Sequence, residues 1–252
     1  MCELLGFSSA GNTDLSDALR RFFAHSDKNP HGWGMMYKNG GDIIVREPRK
    51  ASASTVLEGI LASIPPQKYL LAHIRYATVG TVRKENCHPF HAADISGRRW
   101  TMIHNGTIYS GSGTYRYYRR QSGDTDSERL FLAFIDGIND RLGKGSLGER
   151  ERFSFVNDFV AEHAPRNKLN LMIWDGELLF VHKNMKNTMS FRRMNGGLLF
   201  STVPLDDSEW VPIPMAQLVA YKDGREVFRG DRHKGVFTPT LEYITALDAM
   251  NI

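Results

Sequence analysis

Apolar residues along this chain follow two spacings, and the change from one to the other marks out its elements. Glu3 to Phe7 reads as a short strand closed by a turn at Ser8 to Asn12, whereas Leu15, Ala18, Leu19, Phe22 and Phe23 recur at helical spacing over residues 13 to 25. Trp33 to Tyr37 and Asp42 to Val45 flank Lys38-Asn39-Gly40-Gly41, where the Asn-Gly step suits the positive φ of a hairpin turn. Thr55 and Glu58 resemble a capping box ahead of Val56, Leu57, Ile60 and Leu61, and Pro65-Pro66 stops that helix before a strand from Tyr69 to Ile74.

Thr101 to His104 reads as a strand ending in an Asn105-Gly106 turn. Thr125 is the expected N-cap, with Glu128 closing the box, of a helix carrying Leu130, Phe131, Phe134, Ile135, Ile138 and Leu142. Ser146 and Glu149 suggest a further capped helix through Phe153, Val156, Phe159 and Val160, ended before Pro165. Strands then dominate: Leu169 to Trp174 and Leu178 to His182 around Asp175-Gly176, followed by Leu198 to Ser201, Gln217 to Tyr221 and Glu226 to Phe228. Thr238-Pro239 could open a last helix through Met250. There is no fixed-period repeat and no single alternation of strand and helix, so the pattern favours one α+β domain over residues 1–252, with two packed sheets and helices outside.

Composition narrows the function classes. A chain of 252 residues with 41% hydrophobic and 24% charged residues can bury a sizeable core, which excludes extended disorder. The formal net charge of +4, spread along the sequence, gives little reason to expect a nucleic-acid partner. Cys2 and Cys87 are the two cysteines, too few for a disulfide framework, and the absence of a long apolar run or a signal-peptide pattern leads us to expect a cytoplasmic protein with no membrane partner.

Cys2 carries the most chemical information. Removal of Met1 would put a thiol and an α-amine on one residue, and an amine of reference pKa about 7.7 to 8.0 can take the thiol proton near neutrality. The alternative is an ordinary buried cysteine beside a strand. Arg75, in His73-Ile74-Arg75-Tyr76-Ala77-Thr78-Val79-Gly80, offers a donor fork suited to a ligand carboxylate or to a carboxylate of the protein, and Tyr76 could wall a pocket or simply pack. The Asn105 amide and the Gly106 backbone N–H can form an oxyanion hole, although Asn-Gly alone is an ordinary turn. Asp126 can pair with a ligand ammonium or just complement the first turn of its helix. His31, Gly32, Trp33 and Gly34 are candidate pocket lining, with two glycines that equally suit a bend. His88 and His91, or His73 and His104, invite a metal reading, but without HExxH or paired CxxC motifs no metal is expected, and no nucleotide-binding glycine motif occurs.

Together, Cys2-Glu3-Leu4-Leu5-Gly6, the His73 to Gly80 segment, His104-Asn105-Gly106 and Thr125-Asp126-Ser127-Glu128 resemble the class II glutamine amidotransferases of the N-terminal nucleophile hydrolase superfamily, especially the small stand-alone YafJ-like group. The resemblance implies a four-layer αββα sandwich with two mainly antiparallel sheets and no cofactor. It implies that processed Cys2 attacks the glutamine side-chain amide, giving ammonia and a glutamyl thioester that water hydrolyses. It places Arg75 on the substrate carboxylate with Tyr76 and Thr78 beside it, Asp126 on the ammonium, and Asn105 with Gly106 in the oxyanion hole. Glu3, Tyr76 and Val79 depart from the commoner glycine, tryptophan and histidine. No synthetase segment is evident, so the ammonia would pass to a separate acceptor enzyme, or the protein would hydrolyse glutamine or another γ-glutamyl amide. A non-catalytic binder of γ-glutamyl ligands is the other class of reading.

Overall fold

A computed structural model describes residues 1–109, 113–143, 145–241 and 245. The chain starts with β1 (Glu3–Thr13) and α1 (Ser16–Ala24), then the hairpin of β2 (Trp33–Asn39) and β3 (Gly41–Glu47), α2 (Thr55–Ser63) and β4 (Gln67–Ile74). Next come β5 (Phe90–Ala93), β6 (Arg99–Thr107) and the two longest helices, α3 (Asp126–Leu142) and α4 (Glu149–His163). The second half supplies β7 (Lys168–Trp174), β8 (Leu179–His182), β9 (Ser190–Met194), β10 (Gly197–Ser201), β11 (Val211–Pro212), β12 (Val219–Lys222) and β13 (Arg225–Arg229). They form two antiparallel sheets, ordered β11-β9-β10-β1-β4-β2-β3 and β13-β12-β8-β7-β6-β5.

The layers follow from the two-residue period of the strands. In β1, β4 and β7 successive apolar side chains enter different cores: Leu5, Ala72 and Ile173 face helices, while their neighbours Leu4, Leu71 and Met172 face the opposite sheet. Leu5, Phe7, Leu70 and Ile74 pack under α1 and α2 with Leu19, Phe22, Leu57 and Leu61. Trp100, Leu171, Ile173 and Phe180 pack under α3 and α4 with Leu130, Phe134, Val156 and Val160. Leu4, Leu71, Ile103, Met172, Val181 and Phe200 fill the space between the sheets. Burying each such side chain fully stabilises by about 1.5–3 kcal/mol. The result is an α+β sandwich of four layers, helices outside and two antiparallel sheets within, the N-terminal nucleophile hydrolase type of fold.

Several local expectations need correction. The turn expected at Ser8 to Asn12 is instead the continuation of β1: Ser8 pairs with Tyr69 and Leu198, and its buried Oγ accepts from the Gly224 N–H at 3.1 Å. Pairing of Ser8 on both sides and of Ser9 with Gly197 satisfies the front of a polar segment that reads locally as a turn. Asn105 and Gly106 likewise lie inside β6, opposite Asn170 and Leu169, and not in a turn after it. Ser54, and not Thr55, caps α2 by accepting from the Leu57 N–H at 3.0 Å. Gly148, and not Ser146, precedes α4, and its N–H donates to Glu151 at 2.7 Å. Thr125 caps α3 as expected, accepting from the Glu128 N–H at 3.2 Å, while the Glu128 carboxylate takes the N–H groups of Ser122 and Gly123. β5 and β9 had no clear signature of their own. The helix expected from Thr238 to Met250 lies mostly outside the described residues.

Candidate active site

The first residues of β1 pair with the last of β4, Glu3 opposite Ile74, and this register carries Cys2 alongside Arg75 and Tyr76. The Cys2 thiol donates to the Tyr76 carbonyl and accepts from the Tyr76 N–H, each at 3.3 Å. Glu3 holds the strand start from the other side: it is buried, meets Nδ1 of His25 at 2.8 Å and accepts from Asn29 at 3.3 Å. Cys2 is itself half-buried.

Arg75 is buried, and its guanidinium donates to the carbonyls of Val79, Thr81 and Gly80 at 2.9, 3.0 and 3.3 Å. The fork therefore shapes the loop that follows it. Gly80 serves that loop with a φ of +79°, and a Cβ there would press on Asp124, whose carboxylate accepts from the Thr81 N–H at 3.1 Å. Tyr76 packs edge-on against His31 with ring centres 4.8 Å apart, and His31 Nδ1 accepts from the Ala77 N–H at 2.9 Å. The Gly32 carbonyl accepts from the Arg75 N–H at 2.7 Å. Thr78 is exposed on the same loop. Trp33 faces away, fully buried against Phe23 in the layer of α1, with Nε1 donating to Glu47 at 3.2 Å. Gly34 is packed beneath the His88 carbonyl. Of the His31 to Gly34 segment, it is thus His31 and Gly32 that touch the Arg75–Tyr76 strand end.

Asn105 and Gly106 close β6 beside the start of β7. The Oδ1 of Asn105 accepts from Lys168 Nζ at 3.0 Å, and the same ammonium lies 3.0 Å from the Met1 sulfur, linking this strand end to the amino end of the chain. A Cβ at Gly106 would overlap the Lys168 carbonyl, so glycine is what lets the two strands close here. His104 braces the same point, its Nε2–H donating to the Lys168 carbonyl at 3.2 Å and Nδ1 meeting the Ser127 hydroxyl at 2.9 Å. Asp126, buried at the first position of α3, accepts from the Ile108 N–H at 2.6 Å, which ties it to the residues just beyond Gly106.

Burial sets the electrostatics. It pushes the Cys2 thiol up, opposed by the Tyr76 N–H, the terminal ammonium, Arg75 and Lys168, so the resting group is the thiol. Burial also lowers the terminal amine, and Lys168 adds to that fall. Lys168 itself is drawn down to about 8 by burial, with Cys2 opposing. His73 is held neutral with its pKa near 3, burial first and Arg75 second, and His88 beside it is also well below the usual range. Cys87 is pushed up to about 11 by burial and donates to the Glu47 carbonyl at 3.4 Å, the behaviour of an inert core thiol. No group of three His, Cys, Asp or Glu side chains able to hold a metal exists among the described residues. No helix among them is long and apolar enough to cross a membrane.

Lys168 is the residue the sequence reading missed. Its one signal is position: a lysine opening the otherwise apolar run Lys168-Leu169-Asn170-Leu171-Met172-Ile173-Trp174, beside a partner strand that ends in Asn105-Gly106.

Residues 1–196 match the family described as Glutamine amidotransferases class-II, and the chain belongs to that family. Fold and family together define a class II amidotransferase with its cysteine at the amino end. Among its relatives, YafJ of Escherichia coli (strain K12), provisionally named a glutamine amidotransferase, is 26% identical over 228 residues, covering 87% of this chain and 89% of YafJ. A Haemophilus influenzae protein with the same provisional name is 28% identical over 186 residues, 72% of this chain and 63% of the relative. The crystal structure of a predicted glutamine amidotransferase from Pseudomonas aeruginosa PA01 shares the fold with a TM-score of 0.64 at 21% identity, covering 90% of this chain and 100% of that one.

Proposed function

We propose that the protein, acting as one domain over residues 1–252, hydrolyses the side-chain amide of glutamine or of another γ-glutamyl amide through a thioester on Cys2 once Met1 has been removed. The observation that carries this reading is the placement of the Cys2 thiol against Tyr76 and near enough to Lys168 for each to act on the other's charge, with Lys168 in turn bonded to Asn105. The freed α-amine of Cys2 takes the thiol proton, and the sulfur adds to the amide carbon. Asn105 Nδ2 and the Gly106 N–H stabilise the oxygen that becomes negative. The C–N bond then breaks as the α-ammonium returns its proton to the leaving nitrogen, releasing ammonia or an amine. Water, deprotonated by the same amine, cleaves the thioester to restore the thiol and release glutamate.

Recognition of the glutamyl head divides between opposite charges. Asp126 takes the substrate ammonium with the oxygen not engaged by Ile108. Arg75 supplies positive charge for the α-carboxylate and holds the loop that carries Thr78, while Tyr76 and His31 form the adjoining wall. The ammonia goes either to water or to a separate acceptor enzyme.

The test combines intact-mass analysis of the amino end with incubation in glutamine and a panel of γ-glutamyl amides. Expected are a chain beginning at Cys2, glutamate release, and a transient mass addition on Cys2. Retention of Met1 in protein that turns over substrate would refute the mechanism, and binding without turnover by processed protein would favour a ligand-binding role.

A further inference from the structure

We propose that Lys168 is a positioning residue for catalysis: its ammonium fixes the Asn105 carboxamide with Nδ2 toward the reacting carbonyl and adds positive charge to that donor. The inference rests on the reading of Asn105 as an oxyanion donor. Lys168 pairs with Thr107 across β6 and β7, so it is a diagonal neighbour of Asn105 on the face that also carries Ile103 and Met172 between the sheets. Its side chain is almost wholly buried, and Nζ lies 3.0 Å from Oδ1 of Asn105.

That contact reads the amide unambiguously. An ammonium has donors and no acceptor, so it accepts only the carbonyl edge of a carboxamide; rotating Asn105 by half a turn would set its NH₂ against the positive charge. With Oδ1 held, Nδ2 is directed away from Lys168. The charge also polarises the amide, making its N–H groups stronger donors to an oxygen that turns negative in the transition state. The lysine is rigid at its root, because the His104 ring donates to its carbonyl and His104 is in turn held by Ser127.

A second consequence concerns the base. Lys168 Nζ lies 3.0 Å from the Met1 sulfur and repels protonation of the terminal amine. Once Met1 is cleaved, the Cys2 α-amine succeeds to that end of the chain, and the same cation favours its neutral, proton-accepting form. One buried lysine thereby serves the donor and the base.

Glutaminase kinetics on processed Lys168→Met, Lys168→Gln, Asn105→Ala and Lys168→Met/Asn105→Ala separate the possibilities. Lys168→Met should lower kcat about 100-fold with KM changed less than about 3-fold, and Lys168→Gln, which keeps a donor, should recover part of the loss. In the double variant, with kcat compared above the acid limb where the amine is already neutral, removing Lys168 should cost less than about 2-fold beyond Asn105→Ala alone, because its partner is already gone. The acid limb of the kcat/KM profile should move to higher pH by the same amount in Lys168→Met and Lys168→Gln, because both remove the charge, whereas loosened packing would shift it by different amounts in the two variants. Multiplicative losses, or Lys168→Met activity equal to wild type, would overturn the proposal while leaving the cysteine mechanism standing. Wild-type protein that turns over no γ-glutamyl amide would overturn both. If Lys168→Met does not fold, Lys168→Gln and its double variant with Asn105→Ala decide the question.

Discussion

The paired strands β6 and β7 have opposite ends that treat buried cations in opposite ways. At one end Lys168 donates to an amide oxygen and a thioether, and burial lowers its pKa to about 8. At the other, just past Trp174, Arg152 is 4% exposed and donates to Asp175 and Glu177 at 2.7 Å each, carboxylates that hold its pKa up against the opposing pull of burial. The Asp175 carboxylate is completely buried. A cation paired with carboxylates holds elements together. Lys168, which donates to an amide oxygen and a thioether, is on the proposed reading placed to bring charge to a site where new negative charge forms.

This contrast can be tested from either end. The largest expected effect is that of Cys2→Ala, which should lower turnover by about 10⁴-fold or more while leaving the melting temperature nearly unchanged; calorimetry and glutaminase assays on one preparation check both halves. At the far end, Arg152→Met should do the reverse. It leaves the buried Asp175 carboxylate with the more distant Arg98 at 4.0 Å and two backbone N–H groups, at a cost of up to about 3–5 kcal/mol, lowering the melting temperature by up to about 10 °C with kcat per folded molecule intact, and an unchanged melting curve would break the comparison. Asn105→Ala should reduce kcat by about 10²–10³-fold, equivalent to about 2.7–4 kcal/mol, and lower the melting temperature by less than Arg152→Met does, because Lys168 loses one acceptor.

A further effect is distributed over several rings. His73 and His182 are buried and neutral with pKa values near 3, against 6.5 for an exposed imidazole, and His88 behaves likewise. Below pH 6.5 the unfolded chain binds protons that these rings refuse, so folding stability falls as pH drops from about 6.5 toward 3. Urea titrations between pH 7.5 and 4.5 should show a falling midpoint, and a flat profile would mean that the three rings are solvated.

How far the sequence could be read depended on whether the deciding contact was local. The Thr125 cap and the Asn39-Gly40 hairpin are written within a few residues, and both formed as expected. The polar tail of β1 reads locally as a turn because its partners, Tyr69, Leu198 and Gly224, lie far along the chain. In the proposed site, Cys2, Arg75, Asn105 and Asp126 stand out by residue type and neighbours. Trp33 looked like pocket lining from its glycine flanks, yet its indole is large and apolar enough to be drawn into the core under α1. Lys168 gives almost no local signal, since lysine is ordinarily a surface residue and the role proposed for it depends on a register with Thr107 that only the assembled sheet fixes.

The anchoring of β1 has a practical corollary for anyone handling the protein. Glu3 is bonded to His25 and Asn29, and the strand runs between β4 and β10 from its first residues, so the front of the polypeptide has no slack. On the proposed mechanism, a purification tag fused ahead of Met1 would keep the Cys2 α-amine in a peptide bond and should abolish turnover. Affinity handles belong at the other terminus.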